Sequence, residues 1–180
     1  MSVQRDDIMG SARLAGCVVR YHTWPLVLPR ETVGHHSWSV ARIYMQIWGC
    51  LPQAVGEYIV WHDLPELHTG DVPYPVKSDN PALKTEMDRL EESGARALGG
   101  DVATRALSGL SPLQREQVKI CDLMDMLELG HHELIMGNQL AQPIVDHVEG
   151  TINRMCDSSS LLDDGDCEAI ARHMESVLGR

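Results

Sequence analysis

At 180 residues, 43% hydrophobic and 23% charged, the chain has the size and balance of one ordinary globular domain able to bury a substantial core. Its formal net charge of −11, with no basic patch against it, repels a nucleic-acid backbone and argues against a polymer partner; an anionic ligand would need a metal or a few placed Lys and Arg residues. There is no apolar run of the roughly 18 residues a membrane span requires and no apolar signal-peptide core in MSVQRDDIMG, and the five scattered cysteines form no C-x-x-C pair and no even disulfide set, so a cytosolic enzyme is expected.

Apolar residues recur at helical spacing along most of the chain while alternating strand patterns are almost absent, so the fold is expected to be all-α and a single domain. Helices are predicted at about 4–16, 33–50, 54–68, 81–98, 112–130, 138–156 and 164–178. Two stretches break the pattern. RYHTWPLVLPRET carries prolines at 25 and 29, and TGDVPYPVKSDNP carries three prolines; both are candidate walls of a pocket. The C-terminal pair of helices, separated by the polar segment CDSSSLLDDGD, is amphipathic and suits core closure or a subunit contact.

Polar residues interrupt the apolar stripe on three of these helices. From His36, steps of four, seven and eleven reach Val40, Ile43 and Ile47, whereas the same steps from His35 reach Ser39, Arg42 and Gln46, so His36 is the inward histidine and His35 faces solvent. Val55, Ile59, His62 and Glu66 line one face of the predicted 54–68 helix, with Asp63 beside them. Asp122 stands at the edge of the stripe made by Ile120, Met124 and Leu127. Burying such groups without partners costs several kcal/mol each, and a divalent cation is one partner that serves all of them. Two imidazoles and two carboxylates suit zinc, cobalt, manganese or iron and leave positions open for water and substrate. The spacing alone fits hydrogen-bonded core residues as well as it fits a metal site.

The segments ETVGHHSWSVA, WHDLPELHTGDVPYPVK and KICDLMDMLEL, in that order, resemble the three metal-binding segments of the HD-domain phosphohydrolases. The resemblance runs from about residue 18 to about residue 130 and is greatest to the branch of bacterial 5'-deoxynucleotidases and phage dATP triphosphohydrolases. It implies a helical HD fold in which His36, His62, Asp63 and Asp122 bind a divalent metal (Zn, Co or Mn) and Glu66 acts on the attacking water. It further implies that Asp71 holds the sugar 3'-hydroxyl, Lys77 meets the phosphates and Pro75 shapes the base or sugar pocket. The family's arginine–aromatic pair, which contacts phosphate and the sugar face, falls on Arg20 and Tyr21, with tyrosine where relatives carry tryptophan; the rival alignment uses Trp24 but loses the arginine, because Thr23 precedes it.

The implied reaction is hydrolysis of a deoxynucleotide at its α-phosphorus, with dATP giving deoxynucleoside and triphosphate. Two alternatives stand beside it: a 5'-deoxynucleotidase that releases inorganic phosphate from monophosphates, and a non-catalytic nucleotide-binding HD module. Family analogy further implies a homo-oligomer, a dimer or hexamer, in the cytoplasm, or the host cytoplasm for a phage-encoded chain.

Overall fold

Proline, glycine and side-chain caps set the boundaries of the helices. The structure, a computed structural model, describes residues 12–72 and 80–180. Its helices are α1 (Val33–Trp48), α2 (Gln53–Trp61), the single turn α3 (Glu66–Thr69), α4 (Pro81–Ser108), α5 (Pro112–Ile135), a 3-10 turn (Gln139–Ala141), α6 (Gln142–Ser158) and α7 (Asp164–Leu178). No strand occurs among the described residues; one antiparallel bridge, Val19 to Thr32, stands alone. Of the predicted helix at 4–16, residues 12–15 are described and helical. No helix among the described residues is long and apolar enough to cross a membrane.

The predicted helix at 54–68 is broken. Regular α2 ends at Trp61 and α3 restarts at Glu66 after a turn over residues 62–65. Pro65 is the cause: it has no N–H for the carbonyl one turn back and disfavours helical backbone at Leu64. The chain instead makes short i→i+3 bonds, Leu64 N–H to Trp61 O at 3.4 Å and Glu66 N–H to Asp63 O at 3.0 Å. Glu66 therefore opens a second helix, and the intervening turn carries His62 and Asp63.

The predicted end at residue 98 marks a real discontinuity inside α4, which opens on an Asn80 cap accepting Leu83 N–H. Gly100 has φ 56° and ψ −138°, a backbone state that glycine reaches without the steric cost of a Cβ, and helical geometry resumes beyond it. At Gly99 a Cβ would lie 2.4 Å from the Trp61 ring, so only glycine lets α4 come this close to the end of α2.

The chain divides into two compact units, Met1–Trp24 with Arg30–Ser37 and Gly56–Gly109, and Pro25–Pro29 with Trp38–Val55 and Leu110–Arg180. In the first, Ala15, Leu64 and Leu98 form a core flanked by Ala12, Trp61 and Leu67, and α3 packs on α4. In the second, α5 is the central helix, with α6, α7 and the 3-10 turn against it. Its start is fixed by a Ser111–Gln114 capping box and that of α7 by an Asp163–Asp166 box.

Polar ties hold the later half of α1 in the second unit: Tyr44 Oη donates to Gln117 (2.7 Å) and Trp48 Nε1 to Asp166 (2.6 Å). Arg42 pairs with Glu128, bonds Ser39 Oγ at 3.2 Å and lies over the Trp38 ring. This explains why Ser39, placed on the solvent face by periodicity, is buried. Glu128 also meets His173 Nε2 at 3.4 Å. Burial pushes the Glu128 carboxyl up, but the bonds and charges of His173 and Arg42 outweigh it and hold the group below its ordinary value of 4.5. A carboxyl depressed in the fold adds stability that is complete above that ordinary value and is lost as pH falls through the lower folded value. Glu128→Gln is thus expected to melt below the wild type at pH 7 and to converge on it as pH falls through the carboxyl range; thermal melts across that range check this, and a gap that stays constant with pH would contradict it.

Candidate metal and nucleotide site

The first unit builds its polar cluster on a short pairing of residues 18–20 with 31–33. Arg20 N–H donates to Glu31 O and Val33 N–H to Val18 O, each at 2.9 Å, which sets Arg20 beside the start of α1. On that first turn His36 is 0% exposed, while the His35 side chain is 59% exposed and its Nδ1 lies 2.6 Å from Glu31 Oε1. The helical period separates the two neighbours in this way because their directions differ by about 100°.

His62 and Asp63 come off the broken end of α2. His62 Nδ1 lies 2.8 Å from the carbonyl oxygen of Ile59. A carbonyl only accepts, so Nδ1 carries the proton and, in the neutral ring, Nε2 presents its lone pair. That Nε2 lies 3.4 Å from Asp63 Oδ1, and His36 Nε2 lies 3.4 Å from Asp63 Oδ2. Ring nitrogens of the two histidines come within 4.8 Å of each other. A lone pair facing a carboxylate is repulsive unless a positive charge stands with them, and a backbone carbonyl fixing the far nitrogen is how metal-ligating histidines are commonly oriented. The donor set, borderline nitrogen with hard oxygen, fits a divalent cation of the zinc, cobalt or manganese kind. Arg20 brings positive charge to the same carboxylate, its Nη1 standing 2.5 Å from Asp63 Oδ2.

Glu66 is buried and joined to the His-Asp turn by its own N–H on the Asp63 carbonyl. Tyr21 is 7% exposed, its ring 5.0 Å from that of Trp24 and beneath the Arg20 guanidinium, 5.3 Å from centroid to Cζ. Both aromatics weighed from the sequence thus stand together. Tyr21 is also the non-glycine residue with positive φ, 54°, among the described residues. Left-handed backbone costs such a residue about 1–2 kcal/mol. Its N–H donates to Asp71 Oδ2 at 2.7 Å, and a hydrogen bond to a charged group contributes about 1.5–3 kcal/mol, enough to offset that strain.

Asp122 lies on α5 in the second unit, half-buried, with Lys119 Nζ at 3.2 Å from its Oδ2. Pro75 and Lys77 lie outside the described residues. Sequence reasoning passed over three buried carboxylates, Glu31, Asp125 and Glu133. Glu31 had a usable signal, an i,i+4 spacing to His35. Asp125 had a weaker one, following the buried Met124 in the α5 stripe.

A family model for YfbR-like 5'-deoxynucleotidases matches residues 20–160. The chain belongs to that family. A 5'-deoxynucleotidase of Vibrio cholerae serotype O1 is 30% identical over 86 residues, 42% of this chain and 44% of that protein. A dATP triphosphohydrolase of Salmonella phage PMBT28 is 30% identical over 110 residues, 54% of this chain and 53% of that protein. The chain thus spans about half the length of these two curated relatives. Among solved structures, the cyanophage S-2L HD phosphohydrolase DatZ, bound to dA and one catalytic Zn2+ ion, superposes with a TM-score of 0.74 at 19% identity, covering 99% of both chains. The all-α HD phosphohydrolase fold expected from the sequence is therefore the fold of this family member.

Proposed function

We propose that the chain is a divalent-metal-dependent hydrolase of deoxynucleotides, attacking the α-phosphorus and acting on dATP to give deoxyadenosine and triphosphate. The observation that carries this reading is Asp63 set between the Nε2 atoms of His36 and His62, with the far nitrogen of His62 fixed by Ile59. In this reading His36, His62 and Asp63 hold the metal, and Asp122 supplies the fourth donor as the family resemblance implies. A bound divalent ion supplies Lewis acidity and makes water nucleophilic at neutral pH. Glu66 would orient the attacking water and take its proton. Arg20, already against Asp63, draws charge from the non-bridging phosphate oxygens, and Lys77 holds the β- and γ-phosphates. Asp71 takes the 3'-hydroxyl, Pro75 closes the pocket, and the Tyr21 ring stands where a 2'-hydroxyl would clash.

The family match and the Vibrio relative support a second reading, a 5'-deoxynucleotidase acting on monophosphates with the same groups. The triphosphate reading draws support from the phage relative, a dATP triphosphohydrolase, and the choice of adenine from the phage structure bound to dA. The deciding experiment incubates the protein with dATP or dAMP and Mn, Co or Zn and identifies the phosphorus product. Triphosphate from dATP is expected; turnover of dAMP alone would make the protein a 5'-deoxynucleotidase. By the same family analogy the working form is a homo-oligomer, a dimer or hexamer, which light scattering on the eluting protein measures directly.

A further inference from the structure

The backbone of Tyr21 is held in a conformation that a tyrosine does not choose by itself. On its N-terminal side Arg20 is fixed by its N–H to the Glu31 carbonyl, and on its C-terminal side the Tyr21 carbonyl accepts Trp24 N–H at 3.0 Å. Between these, Tyr21 takes φ 54°, with its N–H on Asp71 Oδ2, fifty residues away in sequence. The ring is thereby set against Trp24 and under Arg20, and Arg20 in turn is set against Asp63. His22 Nδ1 lies 4.0 Å from the same oxygen. Without the acceptor, the residue is released toward negative φ, where nearly all non-glycine residues reside. That change swings the ring because the direction of Cα–Cβ follows φ.

We propose that Asp71 is a positioning residue for sugar selection: through Oδ2 it holds the left-handed backbone of Tyr21, and so fixes the ring that excludes a 2'-hydroxyl. This rests on the deoxynucleotide reading above. There Asp71 was assigned only the 3'-hydroxyl, a group that deoxyribose and ribose share. The two roles make different predictions. Loss of a 3'-hydroxyl contact weakens dATP and ATP alike, whereas release of Tyr21 spares the ribonucleotide and narrows the difference between them.

The test compares wild type, Asp71→Ala and Asp71→Asn, which keeps an acceptor oxygen. The ratio of kcat/KM for dATP to that for ATP is expected to fall about tenfold in Asp71→Ala and to stay within about twofold of wild type in Asp71→Asn. Near-ultraviolet circular dichroism of the metal-free, nucleotide-free protein reads the Tyr21–Trp24 ring pair, with Tyr21→Ala defining its share of the signal. Asp71→Ala is expected to lose that share and Asp71→Asn to retain it. Equal losses for dATP and ATP with an unchanged dichroism spectrum overturn the proposal, as does a wild type that hydrolyses both equally. Should Asp71→Ala not fold, Asp71→Ser, too short to reach the Tyr21 N–H, takes its place in both measurements. A wild type without activity on either nucleotide removes the hydrolase reading, while the dichroism still decides whether Asp71 holds Tyr21.

Discussion

Glu66→Gln is expected to lower turnover of the deoxynucleotide by about 10²–10⁴-fold, the usual contribution of a positioned general base, while the metal content of the protein stays at the wild-type level. The amide has nearly the shape of the carboxylate and leaves the backbone bond from residue 66 to the Asp63 carbonyl intact, so the turn that carries His62 and Asp63 keeps its geometry. What it removes is the ability to take a proton. Asp63→Ala differs in kind, because it deletes a proposed ligand and the partner of Arg20 together, and metal and activity should be lost in parallel. Single-turnover kinetics with elemental analysis of the metal separate the two. A Glu66→Gln enzyme within tenfold of wild type would remove Glu66 from the proton transfer, and one that had lost its metal would show the residue to be a ligand.

What could be read from the sequence was what a helix repeats locally. The inward direction of His36 followed from Val40 and Ile43 at its period, and the helical segments followed from the same stripes. The break at Pro65 was visible as a residue but concealed by the stripe Val55, Ile59, His62, Glu66, whose spacing runs on across the turn although i→i+3 bonds replace i→i+4 bonds there. Contacts made over long separations left no trace in the periodicity. Arg20 meets Asp63 across 43 residues and Tyr21 meets Asp71 across 50, and neither position has a periodic partner. The left-handed backbone of Tyr21 was equally hidden, since the sequence signals for that conformation are glycine and asparagine.

Glu133 is the residue where this matters most for stability, and Glu133→Ala is expected to destabilise the protein by about 3 kcal/mol, a fall in Tm of about 6–12 °C for a chain of this size. The side chain is fully buried, yet it serves a segment more than a hundred positions away: it accepts Val27 N–H at 2.9 Å, Leu28 N–H at 2.7 Å and Asn138 Nδ2 at 2.6 Å. Asn138 Nδ2 also donates to the Pro25 carbonyl at 2.9 Å. One carboxylate thus holds the Pro25–Pro29 stretch, which the two prolines bar from a helix and which has to find its hydrogen bonds elsewhere. Burial pushes the Glu133 carboxyl up, but the Asn138 amide and the Val27 and Leu28 N–H groups more than compensate and hold it below its ordinary value of 4.5. It is therefore a carboxylate at neutral pH, and its contribution falls away as pH drops through the lower folded value. Alanine leaves three part-buried donors without this acceptor, the costly side of a hydrogen bond. Glutamine keeps one acceptor oxygen but turns its amide NH2, a donor, toward the same donors, so Glu133→Gln should fall between wild type and alanine. Urea unfolding of the metal-free proteins at pH 7 measures the differences, and limited proteolysis within residues 25–29 should increase in the order wild type, Gln, Ala. An alanine variant as stable as wild type would mean that water satisfies these donors and that the clamp contributes nothing.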